Sequence, residues 1–347
     1  MYRFVNDYSE GAHPRILEMM LKSNLEQNMG YGEDTHTANA KTYIKRHLKN
    51  ESVDIHFIPG GTQTNLLAIS SFLRPYQAVI AADTGHINVH ETGAIEATGH
   101  KVIVCQGREG KLTPELIQKA MDTHTDEHMV MPKMVYISNS TELGTIYTRK
   151  ELSDIYNLCR QKELMLFVDG ARLASALTSV NNDLELSDLP NLSDAFYIGG
   201  TKNGALLGEA LVIVREDLKK DFRYAIKQRG ALMAKGFVAG IQFEGLFEND
   251  LYFELGFHAN GLADKIAAAL KKLNYTFLTP TGTNQLFPII ENKVLMELEK
   301  EFAVSEQLKI NEEYTAVRFV TSWATTPESV EALCEFFMNQ GESKYKE

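Results

Sequence analysis

One lysine in this chain stands where an amine can do chemistry. In Asp194-Ala195-Phe196-Tyr197-Ile198-Gly199-Gly200-Thr201-Lys202-Asn203-Gly204 a short apolar run ends in two glycines, and no charged residue follows Lys202 until Glu209. A run of that length reads as a buried strand. An amine kept dry at a strand end gives up its proton more readily and can attack a carbonyl carbon. A lysine in a tight loop has the same neighbours, so the choice depends on what stands upstream.

Four other strand ends carry unusual residues. In Phe57-Ile58-Pro59-Gly60-Gly61-Thr62-Gln63-Thr64-Asn65 two glycines and a threonine open an apolar helix. Free backbone N–H groups at such a start suit a phosphate, although the pattern matches neither common nucleotide fingerprint. Asp169 tips the apolar run Leu164–Val168 and is followed by Gly170-Ala171-Arg172. A carboxylate there needs a cation, which Arg172 or a protonated ring nitrogen of a cofactor can supply. His86 and His90 lie four apart with Glu91 adjacent. That spacing allows a metal, but no third ligand cluster accompanies it, and His86 at a strand end can instead lay its ring on a planar cofactor. His90 and Glu91 then stand behind His86 or on a helix surface. Tyr136-Ile137-Ser138-Asn139-Ser140-Thr141-Glu142-Leu143-Gly144 is the fourth polar cluster, and Arg318 interrupts the apolar run Val317–Val320, where it calls for an anion.

A phosphate loop at Gly60–Thr62, a ring platform at His86, a strand-tip Asp169 and a desolvated Lys202, in that order, describe a pyridoxal-phosphate site. The pieces must be positioned by something. Apolar runs recur at Ile55–Ile58, Ala78–Ala82, Lys101–Cys105, Met134–Ser138, Leu164–Val168, Ala195–Ile198 and Ala210–Val214, with amphipathic helices between several of them. Seven buried strands interleaved with helices predict an open, mainly parallel α/β sheet with its ligand outside the carboxyl ends of the strands. The alternation stops near Phe243–Gly256, so a large domain over residues 1–245 and a smaller α+β domain over 246–347 are expected. The smaller one has strand-like runs at Tyr275–Leu278, Leu286–Ile290 and Val317–Thr321 and a last helix through Val330, Leu333 and Phe337.

The chain has 347 residues and a formal net charge of -11, and it shows no basic cluster, which disfavours a nucleic-acid partner. Cys105, Cys159 and Cys334 are widely spaced and match no metal or disulfide pattern. No apolar leader or membrane-length run is visible, so no membrane partner and a cytoplasmic location are expected.

Taken together, these segments resemble the low-specificity threonine aldolases, a branch of the β-eliminating lyases with the aspartate-aminotransferase fold. The resemblance runs nearly end to end: Asn6-Asp7, Tyr31-Gly32-Glu33-Asp34, Gly60-Gly61-Thr62, Gly85-His86-Ile87 with Glu91, Asp169-Gly170-Ala171-Arg172, Gly199-Gly200-Thr201-Lys202-Asn203-Gly204, Lys227-Gln228, Ala234-Lys235, His258-Ala259-Asn260 and Val317-Arg318-Phe319. It implies that Lys202 binds the cofactor aldehyde, Asp169 meets the ring nitrogen and His86 stacks on the ring. It implies phosphate contacts from Gly61, Thr62, Thr201, Lys227 and Lys235, and carboxylate contacts from Arg172 and Arg318. Asn6, Tyr31 and Asn139 are the further substrate-side candidates, with active sites shared across a homodimer or homotetramer. Relatives commonly have serine at the position of Asn6, and one branch has a histidine near the substrate hydroxyl where Thr141 stands; another has the Thr-Glu-x-Gly seen here. The reaction implied is cleavage of threonine or allo-threonine to glycine and an aldehyde, with His86 or a water held by Glu91 as base. The rival readings are β-elimination on the same cofactor and a metal-binding or regulatory protein.

Overall fold

A computed structural model gives the fold and describes residues 2–344. The seven apolar runs form one sheet: β1 (Asp54–Ile58), β2 (Gln77–Ala82), β3 (Val102–Cys105), β4 (Met131–Ser138), β5 (Met165–Asp169), β6 (Ala195–Gly199) and β7 (Glu209–Ile213). Their order is β1-β7-β6-β5-β4-β2-β3. β3, β2, β4, β5 and β6 run parallel, while β7 is antiparallel to both β6 and β1. Helices cover both faces. Ala78, Ile80 and Ala82 of β2 enter one core, and Val79 and Ala81 enter the other, as a pleat of period two requires. Every position of β2, β5, β6 and β7 is buried, which is why these strands are apolar apart from Gln77, Asp169 and Glu209 at their ends.

Because β2, β4, β5 and β6 point the same way, the residues that follow them gather at one edge. β6 and β7 are joined by a short return, with Gly199 opposite Glu209, and this return carries Lys202. The chain must fold back tightly there. Gly208 O accepts from both Gly200 N and Thr201 N at 3.1 Å, and a Cβ on Gly200 would stand 2.7 Å from Gly208 O.

The helix Leu251–Lys272 links the two halves. Leu251, Tyr252 and Leu255 belong to the large core, whereas Leu262, Ala263 and Ile266 belong to a third core. The division therefore falls inside this helix, some residues beyond position 245. The small half is an antiparallel sheet in which Tyr314–Val320 pairs with Ile289–Glu291, Ser305–Lys309 and Gln285–Leu286. Tyr275–Leu278 forms no strand, only the isolated bridge Phe277–Pro288. The N-terminus also crosses over: Tyr2–Arg3 pairs with Phe302–Ala303, and Phe4 is buried in the third core. Residues 2–4 thus pack with the C-terminal half, contrary to a simple division at 245.

Candidate active site

Lys202 lies on the β6–β7 return, half-buried, with its Nζ 5.8 Å from the centre of the Tyr8 ring. Burial, and then the Arg172 charge, lower its pKa below the ordinary lysine value. The return is locked from beneath by Glu209, which accepts from Gly200 N at 3.0 Å and from the Thr201 hydroxyl at 2.8 Å. Burial pushes the Glu209 carboxyl up to about 7. The Thr201 hydroxyl also accepts from Gly208 N at 3.0 Å, so its proton and one lone pair are spent inside the loop. It has no donor left for a phosphate, contrary to expectation.

Asp169 ends β5 and is buried. It accepts from Ala171 N (3.0 Å), Asn65 Nδ2 (3.1 Å) and Tyr136 Oη (2.5 Å). Among the described residues no ion pair involves it, yet it lines the cavity beside Tyr197. Asn65 also donates to Glu91 Oε1 at 2.7 Å, and His86 Nδ1 lies 2.8 Å from the same oxygen. The His86 backbone N–H donates to Glu142 Oε1 at 3.0 Å. One connected network therefore runs from Glu142 through His86, Glu91 and Asn65 to Asp169. It fixes the His86 ring at the cavity wall while leaving Nε2 unengaged.

Two arginines line the same cavity in different states. Arg172 Nε and one terminal nitrogen meet Asp7 at 2.7 and 3.0 Å. Burial works against the Asp7 charge, but Arg172, Lys202 and the Asn284 amide outweigh it and hold its pKa below the ordinary value. Arg318 donates to Val5 O at 3.1 Å, and its buried Nε has no hydrogen-bond partner among the described residues. Burial, and then the nearby Arg172 charge, lower its pKa.

These residues surround a cavity of about 810 Å³ between the strand ends and the small half. That is room for a drug-sized ligand. Gly60 starts the helix Gly61–Phe72 with no side-chain cap, so its first N–H groups face the cavity unclaimed. A Cβ on Gly61 would stand 3.3 Å from Tyr197 Oη. The donor set fits pyridoxal phosphate: an uncapped helix start for the phosphate, an unpaired carboxylate for the ring nitrogen, and a depressed lysine for the aldehyde.

Several predicted residues lie elsewhere. Glu91 has a fully buried side chain behind His86 and does not line the cavity, so it cannot hold a water there. Asn139 is buried with its carbonyl accepting from Tyr147 N at 3.2 Å, a scaffold contact rather than a substrate one. Thr141 turns away toward Thr145, 2.7 Å distant, and Glu142 points into the cavity in its stead. Asn6 caps a turn by accepting from Tyr8 N and Ser9 Oγ and does not line the cavity, whereas Tyr8 does. Lys227 is exposed with its Nζ 4.8 Å from the Tyr31 ring centre, and Lys235 is exposed nearby; none of these three lines the cavity of its own chain. Sequence reasoning missed Asn65, Tyr197 and Tyr8 in the site; Asn65 had a signal, since it follows the glycine start by one helical turn. Among the described residues no group of three or more His, Cys, Asp or Glu is placed to hold a metal ion.

Comparison with known proteins accords with this geometry. Residues 7–293 match the Beta-eliminating lyase family. The low specificity L-threonine aldolase of Pseudomonas aeruginosa is 31% identical over 95% of both chains. A solved threonine aldolase from Leishmania major is 49% identical, with a TM-score of 0.97 over 98% of this chain and all of that one. Aspartate aminotransferase from Thermus thermophilus, 14% identical, shares the fold with a TM-score of 0.70 over 95% of this chain and 88% of its own. The chain is therefore a lyase and belongs to the β-eliminating lyase family.

Proposed function

We propose that the chain is a pyridoxal-phosphate-dependent aldolase that cleaves L-threonine and L-allo-threonine to glycine and acetaldehyde. The observation that carries this reading is a lysine of depressed pKa facing one cavity with an arginine whose guanidinium has an unpartnered edge. An amine for an aldehyde and a cation for a carboxylate are what an amino-acid reaction on this cofactor needs. The names borne by the relatives supply the choice of bond.

Pyridoxal phosphate, when bound, supplies a ring that accepts the electron pair of a bond broken at Cα. Lys202 holds its aldehyde, and Gly60, Gly61 and Thr62 receive its phosphate. Asp169, at the strand tip in the cavity wall, would meet the ring nitrogen and hold a proton on it. His86 presents a ring face steadied through Glu91. Arg318 anchors the substrate carboxylate and so sets which Cα bond is aligned for cleavage. Arg172 tied to Asp7 stiffens the wall beside it. Leu17, Leu21, Leu25 and Met29 are exposed in the single chain, and Tyr31 and Lys227 lie next along it in space. A homodimer or homotetramer covers this surface and brings Lys227, Lys235 and Tyr31 to the partner's phosphate side. The free state of Cys105, Cys159 and Cys334 suits the cytoplasm; no described helix is long and apolar enough to cross a membrane.

The test is the product ratio from L-threonine. Acetaldehyde and glycine in excess over 2-oxobutanoate support the aldolase. Dominant 2-oxobutanoate defeats it but leaves the cofactor reading standing, and failure of borohydride to fix cofactor on Lys202 defeats that as well.

A further inference from the structure

Retro-aldol cleavage needs a group that takes the proton of the β-hydroxyl, and the cavity offers few. Glu91 is buried behind His86, and Thr141 faces away. Glu142 accepts from Ser138 Oγ and His86 N, Glu209 accepts from Gly200 N and Thr201 Oγ1, and Asp169 takes three donors. Asp169 and Glu209 are thus committed to their own walls; Glu142 takes both of its bonds on Oε1, with burial raising its pKa, and Asp83 accepts from Gly107 N on Oδ1. His86 has Nδ1 on Glu91 and is held as a ring platform.

His90 differs from all of these. It lines the cavity, its ring lies 5.5 Å from that of His86, and its ring nitrogens have no hydrogen-bond partner among the described residues. Its backbone is fixed as the cap of the short helix His86–Val89, with His90 N donating to His86 O at 2.9 Å. Partial burial, and then the charges of His86, Arg318, Lys202 and Arg172, lower its pKa below the ordinary imidazole value. At neutral pH the ring is uncharged and carries an open lone pair. Arg318 stands among its electrostatic neighbours and lines the same cavity.

We propose that His90 is the general base that takes the β-hydroxyl proton of the substrate, an inference that rests on the aldolase reading above. A ring nitrogen of His90 accepts the hydroxyl proton, and the O–H pair becomes the second C–O bond of the aldehyde. The Cα–Cβ bond breaks and its pair is left at Cα, where pyridoxal phosphate, when bound, would supply the electron sink. A proton returned to Cα then leaves glycine, and His90 gives its proton to solvent.

The test compares two reactions of the holoenzyme. Cleavage of L-threonine needs this base; exchange of the glycine α-proton with deuterated water does not, because glycine has no hydroxyl. His90→Gln and His90→Asn are expected to lower threonine cleavage by about 100-fold or more. Glycine exchange, followed by proton NMR, and the visible absorbance of bound cofactor should stay within a few-fold of wild type. Cleavage retained in both variants overturns the proposal. Equal loss of cleavage and exchange also overturns it, since His90 would then only hold the site together. Wild-type enzyme that exchanges glycine but releases no acetaldehyde defeats the aldolase reading, and this inference falls with it. That result is seen before any variant is made.

Discussion

Arg172 and Arg318 line one cavity, and their surroundings differ in kind. On the large-domain wall Arg172 is gripped in a two-point pair with Asp7, itself steadied by Asn284. On the small-domain wall Arg318 keeps one backbone contact and an orphaned Nε. A buried charge left without its counter-charge is costly, so a protein retains one where a ligand completes it. Among the described residues Arg172 has a carboxylate partner within the fold and Arg318 has none. Both arginines looked equally suited to a carboxylate in the sequence, and the difference is what supports giving the substrate to Arg318 in the proposed reading.

Removing each arginine's function should therefore show in different measurements. Arg318→Leu is expected to lower kcat/KM for threonine by about 100- to 1,000-fold, the scale of losing a charge-assisted contact to substrate. Its thermal midpoint should hold or rise, since an unpartnered buried donor is removed. Asp7→Ala strands Arg172 and should instead cost about 3 kcal/mol of stability, read by denaturant unfolding. If Asp7→Ala leaves stability intact while Arg318→Leu unfolds the protein, the comparison is inverted. Arg318→Lys sharpens it further. A point charge without the planar fork should keep some binding and raise KM by roughly tenfold.

What the sequence displays and what it conceals follow the same division. Strands buried on both faces must be apolar throughout, so all seven are visible as runs, and any charge at their tips stands out. Asp169, His86 and Lys202 were legible for that reason, and Arg318 because it breaks a run. The turn after β4 was not. Whether Asn139, Thr141 or Glu142 enters the cavity depends on how the loop rotates, and composition carries no trace of that. Asn65 lies on a helix and His90 at the end of one, where the ordinary expectation for a polar residue is a solvated face. The edge strand Ser305–Lys309 has mostly exposed positions and therefore no alternation to read. Phe4 joins a core built some 260 to 330 residues later in the chain, a contact only the tertiary fold creates.

The smallest expected effect lies where the large-domain wall is least settled. Glu209 accepts two hydrogen bonds, yet burial still raises its pKa from 4.5 to about 7. Between those values the folded protein keeps a proton that the unfolded chain has released. Stability from this group is thus fully present below 4.5 and is lost as pH rises through about 7. Glu209→Gln removes the ionisation while keeping a carbonyl for Gly200 N. The thermal midpoint of the wild-type apoprotein should therefore fall relative to the variant between about pH 5 and about pH 8 and then run parallel to it. Parallel curves across the whole range would mean that Glu209 stays ionised in the fold, its charge answered by Lys202 as fully as Arg172 is answered by Asp7. In that case the Lys202 amine would owe its protonation state to Glu209 rather than to burial, and Glu209→Gln should shift the pH dependence of borohydride fixation at Lys202 in the holoenzyme.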